Sequence, residues 1–122
     1  MTDRRAHVLL IENDRDTAAL LAEVLEGEGF ETLAADSRAS ATVHLRSPRL
    51  IVLDDAPGDR TSSVLAAALR RRGLHDVPIV LLSAAVDLEN RARAIGAAAY
   101  LAKPFGIDEF AATCRRVLPQ IA

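Results

Sequence analysis

Apolar residues fall along this chain in short unbroken runs, separated by longer stretches with helical spacing. Val8 to Ile11 is one such run, and acids follow it at once. Leu50 to Leu53 repeats that design and also ends in acids. Ile79 to Leu82 ends at Ser83, and the shorter Tyr100 to Ala102 ends at Lys103 and Pro104. Unbroken runs of this length predict strands buried on both faces, as in a parallel sheet. Glu31 to Ala35 is a weaker strand candidate.

The intervening stretches read as amphipathic helices. Leu20, Leu21, Val24 and Leu25 mark one apolar face, and Gly27 and Gly29 end it. Ala39 and Val43 suggest a second, weaker helix that stops before Pro48. Val64, Leu65, Ala68 and Leu69 mark a third, which ends at Gly73. Leu88 to Ile95 gives a fourth, ended by Gly96, and Ile107 to Leu118 a fifth, ended by Pro119. The order βαβαβαβαβα predicts an α/β fold, a parallel sheet with helices on both faces. A chain of 122 residues suits one domain, 1–122, and leaves no room for a second.

Composition narrows the function. The net charge is −2, so there is no basic excess of the kind that nucleic-acid contact requires. Arg70, Arg71 and Arg72 read as the solvated end of a helix. Aromatic residues make up 3%, which argues against a base-stacking or flavin-stacking site. The one cysteine, Cys114, falls in a helical pattern and reads as a packed thiol. No Cys and His set with metal-ligand spacing exists, and His7, His44 and His75 are far apart. No apolar stretch approaches the ~20 residues that a membrane span needs. Thr2 to His7 is polar, so no secretory leader is expected and a cytoplasmic location is.

In open α/β sheets, ligands bind beyond the carboxyl ends of the strands. The residues placed there are Glu12, Asn13 and Asp14, then Asp54 and Asp55, then Ser83, then Lys103. This set holds carboxylates, a hydroxyl and an ammonium. It suits phosphoryl transfer to a carboxylate, with a cation and hydrogen-bond donors around the transferred group. Mg²⁺ prefers a few carboxylates plus water and substrate oxygens. Lys103 can supply a point charge and Ser83 a hydroxyl donor. Asp14 reads better as a helix N-cap. Strand alternation turns Asp55 away from Asp54, so Asp55 reads as structural or solvent-facing.

HVLLIEND at 7–14, LIVLDD at 50–55, PIVLLSA at 78–84 and GAAAYLAKPF at 96–105 resemble the receiver domains of two-component response regulators. The resemblance runs from His7 to Leu118. It implies a flavodoxin-like five-stranded sheet of order 2-1-3-4-5 with five helices. It implies that Asp54 is the phosphoacceptor and that Lys103 pairs with the phosphate or with Asp54. Ser83 would bond the phosphate, and Tyr100 would be the switch aromatic that follows the Ser83 hydroxyl. Glu12, Asn13, Asp54 and the backbone carbonyl of Ala56 would hold Mg²⁺. Lys103-Pro104 would be a cis peptide. The partners implied are a histidine kinase or phosphotransfer protein as donor, and an output partner or output domain as receiver of the signal. There would be no direct nucleic-acid contact and no membrane association. The chain would be a switch and not an enzyme.

Several positions depart from the family pattern. Asn13 stands where a second acid is usual, which predicts weaker Mg²⁺ binding. Pro57 and Gly58 come one residue early after the acceptor, and Ser62 stands where glycine is common. Ala56 and Ala85 occupy positions that tune phosphate lifetime; both are too small to position an attacking water. Ala97, Ala98 and Ala99 replace acids that many transcription-regulating receivers use in dimer contacts. These departures motivate an alternative reading, a degenerate pseudo-receiver that binds a partner without phosphate. A flavin carrier is disfavoured because Glu12 and Asp14 would repel its phosphate. A dinucleotide enzyme is disfavoured because no G-x-G-x-x-G follows a strand.

Overall fold

The four apolar runs and the weaker Glu31–Ala35 candidate all form strands in the computed structural model, which describes residues 7–36, 48–55 and 61–118. They are β1 (His7–Ile11), β2 (Glu31–Ala35), β3 (Leu50–Asp55), β4 (Ile79–Ser83) and β5 (Ala99–Ala102). Every pairing is parallel, and the order is β2-β1-β3-β4-β5. This is the flavodoxin-like arrangement that the family resemblance implied. The helices are α1 (Arg15–Gly27), α2 (Thr61–Leu69), α3 (Leu88–Ile95) and α4 (Ile107–Val117). The weak helix around Ala39 and Val43 lies outside the described residues. Among the described residues, no helix is long and apolar enough to cross a membrane.

Alternation along the strands sends side chains to two separate cores. Val8, Leu10, Leu50, Val52, Val80, Leu82 and Leu101 pack against α1 and α4 through Leu21, Leu25, Phe110 and Cys114. Leu9, Ile11, Ile51, Leu53, Ile79 and Leu81 pack against α2 and α3 through Ala66, Leu69, Leu88 and Ala92. The central strands are therefore apolar along their Val8–Ile11, Leu50–Leu53 and Ile79–Leu82 stretches, because both faces are covered there. Two residues counted as helix faces do not join the cores. Leu20 is 47% and Val64 65% exposed, because each lies at the edge of its apolar stripe.

Helix ends follow local chemistry. Asp14 caps α1, its Oδ2 accepting from Thr17 N at 2.9 Å and from the Thr17 hydroxyl at 2.6 Å. Those bonds hold the Asp14 carboxyl below the usual range. Gly96 closes α3 at φ 68°, a left-handed conformation that glycine adopts without a Cβ penalty. The basic run is only partly solvated. Arg70 Nη1 donates to the carbonyls of Leu74, His75 and Val77 at 2.9, 3.0 and 2.9 Å. It thereby satisfies carbonyls in the wide turn after α2, which the helix alone leaves unpaired.

Candidate functional site

Strand parity decides which of the predicted groups meet. Glu12 follows Val8 and Leu10 on one side of β1, and Asp54 follows Leu50 and Val52 on the same side of β3. Lys103 follows Leu101 on that side after β5. The three reach the carboxyl edge of the sheet on its α1/α4 side. Lys103 Nζ pairs there with Asp54 Oδ1. The Asp54 side chain is only 4% exposed, so the ammonium is close in a poorly hydrated setting. The Lys103-Pro104 peptide is cis, as the resemblance implied.

Glu12 is the perturbed group of this edge. Its Oε1 accepts from Asp14 N at 2.9 Å, while Oε2 is buried with no hydrogen-bond partner. Burial first, and the adjacent Asp54 carboxyl second, push its pKa from 4.5 up to about 7. With both carboxylates ionised no proton lies between them, and a proton on Glu12 supplies the missing bond.

This pKa has a stability consequence. Between pH 4.5 and about 7 the folded chain holds a proton that the unfolded chain has lost. Stability of the cation-free protein should therefore fall as pH rises through that window. With allowance for solvent screening of a half-buried group, the drop is about 1–2 kcal/mol. Urea midpoints at pH 5 and pH 8 measure it, and Glu12→Gln should flatten the slope. An unchanged slope in that variant would assign the effect to another group.

Two ionised oxygens beside each other, one without a donor, suit a hard divalent cation that also takes carbonyl and water oxygens. Among the described residues, no group of three or more His, Cys, Asp or Glu side chains surrounds one point. Glu12 and Asp54 are the two carboxylates that come together at this edge among the described residues. Asn13 is exposed and lines a shallow cleft with Glu12, Arg15 and Asp36. Ala56, with its carbonyl, lies outside the described residues.

Ser83 does not join the Asp54 group in this state. It stands in register with Asp55, and its hydroxyl donates to Asp55 Oδ2 at 2.9 Å. Asp55 turns away from Asp54, as alternation requires, yet it does not face solvent. It is 3% exposed because α2 and α3 cover that side of the sheet. Its other partners among the described residues are the Ser62 hydroxyl at 3.0 Å and Arg91 Nη1 at 2.9 Å. The sequence reading did not single out Arg91. The available signal was Asp87 four residues before it on a helix start, together with an acid doublet ending an apolar strand. Tyr100 is 44% exposed and is no core aromatic. Cys114 is fully buried, and burial pushes its thiol up to about 12, which fits a packing role.

The same sequence pattern and fold occur in known proteins. The model of the response regulator receiver domain matches residues 8–115. The phosphate regulon transcriptional regulatory protein PhoB of Escherichia coli is 31% identical over 120 residues, which cover 94% of this chain and 52% of that protein. The KDP operon transcriptional regulatory protein KdpE of Escherichia coli is 33% identical, over 92% of this chain and 51% of that protein. The chain thus spans about half the length of these curated relatives. Among solved structures, the receiver domain of NtrX from Brucella abortus superposes with a TM-score of 0.76 at 30% identity, covering 91% of this chain and 97% of that one. The chemotaxis response regulator CheY4 of Vibrio cholerae gives 0.79 at 27% identity, covering 93% and 99%. A parallel 2-1-3-4-5 sheet, a carboxylate and lysine pair at its carboxyl edge and a family match over almost the whole chain lead to one assignment: the chain belongs to the receiver domains of two-component response regulators.

Proposed function

We propose that residues 1–122 act as one phosphorylation-switched receiver in which Asp54 is the phosphoacceptor. The observation that carries this reading is the pairing of Lys103 with Asp54, beside Glu12, at the sheet edge where α/β folds bind ligands. An Asp54 carboxylate oxygen attacks the phosphorus of a phosphohistidine on a histidine kinase or phosphotransfer protein. The new bond is an acyl phosphate, the P–N bond breaks, and the leaving imidazole takes up a proton. Lys103 supplies positive charge to the transferring group, and that charge is already in place in the folded chain. Glu12, Asn13, Asp54 and the Ala56 carbonyl would hold Mg²⁺, which when bound neutralises phosphoryl oxygens. Ser83 would bond the phosphoryl group once its hydroxyl turns.

The signal would leave through the face of α3, β5 and α4. Tyr100 stands there at a shallow groove of 560 Å³, with Glu89, Arg93 and Arg116 among its lining residues. Output is through a partner or a further domain that binds this face, and the added charge on Asp54 changes its affinity.

Acetyl phosphate with Mg²⁺, read by intact mass, tests the proposal. One phosphoryl group should be gained by the native chain and none by Asp54→Ala. No gain in a folded native chain would return the pseudo-receiver reading, with Asn13 as its first cause.

A further inference from the structure

The side of the sheet away from Asp54 carries a polar cluster centred on Asp55, a carboxylate to which the proposed phosphoryl transfer gives no role. Asp55 Oδ2 accepts from both the Ser83 hydroxyl and Arg91 Nη1, and Oδ1 accepts from Ser62. One buried carboxylate therefore joins β4, α3 and α2. A serine hydroxyl has a single proton to give. That of Ser83 goes to Asp55, and its oxygen accepts from Ala85 N at 3.0 Å. So placed, the hydroxyl cannot also donate to an oxygen on the Asp54 side. Arg91 is fixed at its other end, Nε donating to Asp87 Oδ1 at 3.0 Å. A continuous polar chain therefore runs from Ser83 through Asp55 to the first turns of α3.

We infer that Asp55 is a positioning residue of the switch, holding the Ser83 hydroxyl away from Asp54 in the unphosphorylated chain and tying it to α3 through Arg91. This rests on the proposed roles of Asp54 and Ser83. When Ser83 turns to a phosphoryl group, Asp55 Oδ2 loses one of its two donors. Arg91 then carries that oxygen, and the seat of α3 on the sheet changes with it.

A simpler role for Asp55 is to fasten α2 and α3 to the sheet, and the two roles predict different kinetics. If Asp55 only fastens helices, Asp55 and Arg91 substitutions change phosphorylation in the same direction, whatever residue stands at 83. If Asp55 restrains Ser83, removing Asp55 frees the hydroxyl, whereas removing Arg91 leaves Asp55 with fewer donors and Ser83 held as before.

The test is the initial rate of phosphoryl gain from acetyl phosphate with Mg²⁺, by intact mass, on folded chains. Asp55→Ala should react roughly three- to tenfold faster than the native chain, the scale of one coupled hydrogen bond. The acceleration should vanish in the Ser83→Ala background, and Arg91→Gln should show none. Should Asp55→Ala not fold, Asp55→Asn should shift the rate the same way by a smaller factor. Equal acceleration in both Ser83 backgrounds, no acceleration, or acceleration by Arg91→Gln would overturn the inference. A native chain that takes up no phosphoryl group would instead overturn the proposed function, and this inference with it, before any variant is compared.

Discussion

Lys103→Ala is expected to slow phosphoryl acceptance at Asp54 about 100-fold, the usual scale for removing one preorganised charge from a transfer site. The Lys103 ammonium contacts Asp54 at the sheet edge, where the Asp54 side chain is 4% exposed. Charge that develops on the phosphoryl oxygens loses its fixed partner when the ammonium is removed. Cation binding should move the other way. Glu12 and Asp54 lose a competing positive charge, so Mg²⁺ affinity should rise several-fold while the rate falls. The cation-free variant should also be less stable, by about 1–2 kcal/mol. This is less than a fully buried broken pair costs, because Lys103 is 29% exposed. Titration of Mg²⁺ and a time course of intact mass on the same sample read both effects. A native rate in Lys103→Ala would remove lysine from the chemistry, and a fall in both rate and affinity would point to a misfolded edge.

The largest stability loss is expected from Phe110→Ala. Phe110 is fully buried and anchors α4 to the α1/α4 core, with its ring 5.8 Å from that of Phe105. Truncation removes its buried ring and leaves a cavity between a helix and a sheet that cannot close fully. The cost should be about 3–5 kcal/mol, or roughly 10–20 °C in melting temperature. Ile107→Ala in the same helix should cost little, since Ile107 is 51% exposed. Denaturant unfolding with an unchanged slope would read both. A loss below about 1 kcal/mol for Phe110→Ala would mean that Phe105 refills the space.

Much of this molecule is legible before folding is considered. Four strands announce themselves as unbroken apolar runs because both faces of a parallel sheet are covered. Gly96 and Asp14 mark helix ends by chemistry that acts within a few residues. The acids, the serine and the lysine stand at strand ends, and Asp54 and Lys103 do meet there. Even the opposite orientation of Asp55 follows from a period of two.

What lay on that opposite side was decided by tertiary structure alone. Asp55 is enclosed because α2 and α3, separated from β3 in sequence or following a crossover, pack over its end of the sheet. Arg91 reaches it across 36 positions, and no local pattern encodes so distant a pairing. The same register that joins Asp55 to Ser83 withholds the serine from Asp54, although all three end their strands alike. The raised pKa of Glu12 likewise belongs to the fold, because it depends on burial and on a carboxylate brought from another strand. The sequence by itself determined which residues line the edge, since strand periodicity is local. Which of them touch was set by the packing of distant elements, and long-range contacts leave no mark on local periodicity.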